Sequence, residues 1–169
     1  MTSQEKRLRL IESKLKGTNA SAVTETITSL RNEEPCRGVI RLLAELFNST
    51  ANSLVRKKIQ DFMNDMKEQS LRSEVVEEIR KDHNKETIRM LVSSCWQSGL
   101  DYSEYVSDFT MIFNKSDYET AIECFTVIEG CAPQVSRHTR DHLIVLLREN
   151  ESAVSEKKAL VKELVTVLR

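Results

Sequence analysis

Apolar residues recur along the chain with the spacing of one face of an α-helix. Four triplets share the i, i+4, i+7 pattern, and their first members are 32, 33 and 33 residues apart: Val23, Ile27 and Leu30; Val55, Ile59 and Phe62; Ile88, Val92 and Cys95; Ala121, Phe125 and Ile128. Because side chains with this spacing lie on one side of a helix, the pattern predicts one helical unit that occurs four times.

A second apolar row follows each triplet and predicts a partner helix for every copy. Equivalent positions in these rows are Leu43, Ile79, Ile112 and Leu147, which are 36, 33 and 35 residues apart. Short connections between such helices favour antiparallel neighbours. The pattern therefore predicts an all-α fold of stacked helix pairs, an α-solenoid.

The predicted organisation is a single domain of residues 1–169 with about ten helices. Four helix pairs are expected at about 19–49, 51–81, 84–115 and 117–149, between terminal helices at 3–16 and 156–168. Only four glycines and two prolines are present, which is too few for the many tight turns of a sandwich or barrel. Composition thus agrees with the all-α prediction.

Composition and cysteine use also bear on location. No stretch approaches the ~20 apolar residues of a transmembrane helix, and the start of the chain, Met1 to Lys16, is charged and amphipathic. The four cysteines are scattered without a paired framework, and Cys95 occupies a core position of the repeat. We therefore predict a cytoplasmic protein without a membrane segment, whose cysteines are buried free thiols.

Two short segments resemble a known family. Asn52-Ser-Leu-Val-Arg56 and Lys85-Glu-Thr-Ile-Arg89 resemble the start of the first helix of HEAT-like repeats, in the armadillo/HEAT class and of a bacterial type. The corresponding segment Glu119-Thr-Ala-Ile-Glu123 has no arginine, and Thr24 follows Val23 in the first copy. The resemblance implies a curved stack that holds partners on its concave side, with Arg56 and Arg89 joining one repeat to the next.

The residues offer few candidates for chemistry. His138 and His142 have the i, i+4 spacing that places two ligands on one helix face, but a zinc site needs three or four ligands, and Arg137 and Arg140 would repel a cation. No Gly-x-Ser-x-Gly elbow and no glycine-rich phosphate loop followed by Lys-Ser or Lys-Thr is present. We predict no catalytic residue, no metal and no cofactor.

Nucleic acid is the alternative kind of partner, since some HEAT-like bacterial proteins are DNA glycosylases. Such a protein is expected to carry a basic concave stripe that neutralises phosphates. The chain has a net charge of −1, and its most basic run, Arg56-Lys57-Lys58, falls on a predicted first helix, which the resemblance places on the convex side. The charge disfavours nucleic acid, and a DNA-processing enzyme remains the alternative.

The distribution of aromatic and acidic residues is uneven. Seven of the nine aromatic residues lie between Trp96 and Phe125, and residues 101–136 have a net charge of −6, against +5 for the rest of the chain. Phe109, Phe113 and Phe125 fit the apolar rows and are predicted to be core. Because tyrosine and tryptophan are enriched in protein interfaces, the window also contains candidate partner-binding residues. They are Trp96, Asp101, Tyr102, Glu104, Tyr105, Asp108 and Tyr118.

These observations favour a non-catalytic protein-interaction module or scaffold that presents a curved solenoid surface. The acidic window predicts a basic or mixed protein partner. Self-association through an exposed end of the helix stack is a further possibility, and the alternative function is a DNA-processing or other enzyme on the same fold.

Overall fold

The structure is a computed structural model that describes residues 1–149 and 155–169. Over these ranges the chain forms ten α-helices and no β-strand, which confirms the predicted all-α class and the number of helices. No helix in the described ranges is both long and apolar enough to cross a membrane. The helices form two compact units, Met1–Ser98 and Gly99–Arg169. The predicted pair at 84–115 contributes one helix to each unit, and the single-domain organisation remains a prediction.

The first unit contains six helices. They are α1 (Ser3–Leu15), α2 (Ala20–Leu30), α3 (Val39–Ser49), α4 (Ser53–Asn64), α5 (Arg72–Ile79) and α6 (Lys85–Gln97), and a 3-10 turn, Gln69–Leu71, precedes α5. Helix α2 packs against α4 and α4 packs against α6, while α3 packs against α1 and α5. Alternate helices along the chain therefore contact one another within this unit.

Polar side chains join these alternate helices. The Arg56 guanidinium of α4 lies 2.8 Å from the Glu86 carboxylate of α6 and 4.4 Å from the ring centroid of Phe47. Arg31 pairs in the same way with Asp65, joining the ends of α2 and α4. Arg56 therefore joins α4 to α6 through a carboxylate, while its role between stacked repeats stays a prediction.

The second unit contains four helices. They are α7 (Val106–Lys115), α8 (Tyr118–Cys131), α9 (Arg137–Glu149) and α10 (Lys158–Leu168). Helix α7 packs against α8 and α9, and α10 packs against α8 and α9. Only two residues separate α7 from α8, so these helices form an antiparallel hairpin.

Acidic side chains accept backbone N–H groups just before α7 and at the start of α8. Asp117 caps α8, with its carboxylate accepting the backbone N–H of Thr120 at 3.0 Å. Asp101 accepts the N–H of Ser103 at 2.9 Å, but a 3-10 turn, Ser103–Tyr105, follows, and α7 begins only at Val106. Residues before Val106 therefore do not follow the α-helical spacing of α7.

The apolar triplets form much of the core. All of their members are buried except Ile88 and Phe125, which are half-buried. Phe109 and Phe113 are buried as predicted, whereas the assignment of Phe125 to the core is wrong in part because its ring retains solvent exposure. The partial exposure of Phe125 is relevant to the surface of the second unit.

All four cysteines are buried free thiols, as predicted. Burial raises the pKa of Cys131 from 9.0 to about 11, and it also raises the pKa of Cys36 and Cys124. We predict that at pH 8 these thiols react with a thiol reagent far more slowly in the native protein than in denaturant, because burial excludes the reagent and disfavours the reactive thiolate. Rapid native labelling of Cys124 would contradict this placement.

The raised pKa of Cys131 also sets an alkaline limit on stability. The unfolded chain loses this proton near pH 9.0, while the folded chain retains it until about pH 11. The protonated Cys131 thiol therefore makes its full contribution to the free energy of unfolding below pH 9.0. This contribution falls as the pH rises from 9.0 to about 11.

Candidate protein-interaction surface

The predicted partner-binding residues have different environments. Trp96 belongs to the first unit, where it is exposed near the end of α6. The other six belong to the second unit. Asp101, Glu104 and Tyr118 are exposed there, Tyr105 and Asp108 are half-buried, and Tyr102 is buried.

Tyr102 is a core residue, and its assignment to a partner-binding surface is wrong. Its side chain is 1% exposed. Its ring centroid lies 5.9 Å from that of Phe109 in a T-shaped contact and 6.3 Å from that of Tyr105. Tyr102 precedes the 3-10 turn Ser103–Tyr105, so the α-helical phase of α7 does not determine whether its side chain is buried.

The two remaining tyrosines of the window lie toward opposite ends of the α7–α8 hairpin. Tyr105 directly precedes α7, at the end of the hairpin where α7 begins. Tyr118 is the first residue of α8, at the end of the hairpin where the chain reverses. The ten residues of α7 span about 15 Å, so Tyr105 and Tyr118 do not form one compact patch.

A different set of residues forms an exposed apolar surface on α8. Tyr118 is 42% exposed and Ile122 40%, and Phe125 is half-buried. Their i, i+4, i+7 spacing places them on one face of α8, and we call these three residues the α8 stripe. Ile122 and Phe125 were missed as surface residues, although the helical spacing from Tyr118 was a usable signal.

The charge along α8 has one sign. The helix contains Glu119, Glu123 and Glu129 and no lysine or arginine. Glu119 and Glu129 are exposed and Glu123 is half-buried. An apolar row bordered by carboxylates is complementary to a partner surface that combines apolar side chains with basic ones.

The candidates for metal chemistry do not converge in the structure. His138 and His142 are exposed near the start of α9. Among the residues that the structure describes, no group of three or more His, Cys, Asp or Glu side chains is placed to hold a metal ion.

Comparisons of the chain with protein-family models, with curated proteins and with solved structures each returned no match. Membership of the HEAT-like class remains a prediction based on the sequence.

Proposed function

We propose that this protein is a non-catalytic protein-interaction module, a HEAT-like α-solenoid that binds a protein partner through the α8 stripe. The solenoid arrangement is supported by the contacts between alternate helices within each unit. In the first unit α2 packs against α4, α4 against α6 and α3 against α5, and in the second α7 packs against α9 and α8 against α10. Stacked helix pairs commonly serve as extended binding surfaces. A cytoplasmic location is part of the same proposal.

The observation that carries the proposal is the exposure of Tyr118 and Ile122 beside Phe125. Large apolar side chains on one helix face contribute contact energy when a partner excludes water from them, and tyrosine is among the residue types that dominate protein interfaces. Glu119 and Glu129 at the edge of the stripe favour a partner with basic residues and affect mainly its rate of association.

A capture experiment with matched baits tests this function. The wild-type chain and a Tyr118→Ala/Ile122→Ala variant are each used to capture proteins from native extract after brief crosslinking, followed by mass spectrometry. We expect the variant to lose proteins that the wild type captures, because the two exposed apolar side chains are truncated. Met111→Ala is the control, since Met111 is 61% exposed on α7, outside the stripe.

Two results would count against the proposal. Retention of every captured protein by the stripe variant would show that α8 is not the binding surface. Release of the captured proteins by nuclease treatment of the extract would favour the alternative, in which nucleic acid is the partner. Circular dichroism and the melting temperature of both variants should remain close to those of the wild type, because the substituted side chains are exposed.

A further inference from the structure

We draw no further inference here: the strongest candidate, the open groove between α1 and α2 in the first unit, is lined by two acidic and two basic side chains, and nothing in the structure shows what covers it.

Discussion

Replacing Tyr102 with alanine should lower the free energy of unfolding of the second unit by about 3 to 5 kcal/mol, the usual cost of deleting a buried aromatic side chain. The ring is 1% exposed, and it contacts the rings of Phe109 and Tyr105. Removing it leaves a cavity whose apolar lining loses its packing partners. Urea unfolding followed by circular dichroism measures the change.

Two companion variants determine whether the ring itself is responsible. Tyr102→Phe keeps both ring contacts and should retain most of the stability. Tyr105→Ala removes a half-buried ring and should cost less than Tyr102→Ala. If Tyr102→Ala unfolds at the same urea concentration as the wild type, the side chain does not contribute to the core, and its assignment to a partner surface would be restored.

The helices were predictable because their signals are local. Residues with i, i+4, i+7 spacing identify one face of a helix regardless of what covers that face, and the ten α-helices of the described residues agree with this pattern. Tyr102 was not predictable in the same way. Its position depends on a 3-10 turn, Ser103–Tyr105, for which the sequence gives no comparably strong signal.

The spacing of apolar residues in the sequence also does not determine which row of α8 is buried and which forms the α8 stripe. Two rows on α8 have helical spacing: Ala121, Phe125 and Ile128, and Ala121, Cys124 and Ile128. The second row is the buried one, and Phe125 is half-buried. The choice between them depends on where α7 and α10 pack against α8, which is tertiary information that the spacing alone does not contain.

A polar contact that is distant in sequence holds the end of α7. The Lys157 ammonium, just before α10, donates to the backbone carbonyl oxygens of Phe113, Asn114 and Ser116 at 2.7, 2.8 and 2.9 Å. These carbonyls belong to the helix end, where backbone acceptors lack partners within the helix and the helix dipole favours a cation. Lys157 is buried, and its nitrogen lies 5.6 Å from the ring centroid of Phe113.

Replacing Lys157 with methionine should lower the free energy of unfolding by about 2 to 4 kcal/mol, because it leaves buried carbonyl acceptors without their charged donor. Methionine keeps an apolar side chain of similar length, so the loss reports the ammonium rather than the packing of its stem. Lys158→Met is the matched control. Lys158 is the exposed neighbour, and its replacement removes the same charge with an expected effect within about 0.5 kcal/mol.

The change in the free energy of unfolding caused by Lys157→Met depends on the balance between desolvation and hydrogen bonding at Lys157. Burial lowers the pKa of this lysine, whereas the negative charge of Asp117 acts in the opposite direction. Three acceptors at hydrogen-bond distance match the three donors of an ammonium, and we therefore expect the hydrogen bonds to exceed the cost of burial. Equal stability of Lys157→Met and Lys158→Met in urea unfolding would show that desolvation cancels the three bonds from Lys157 to the end of α7.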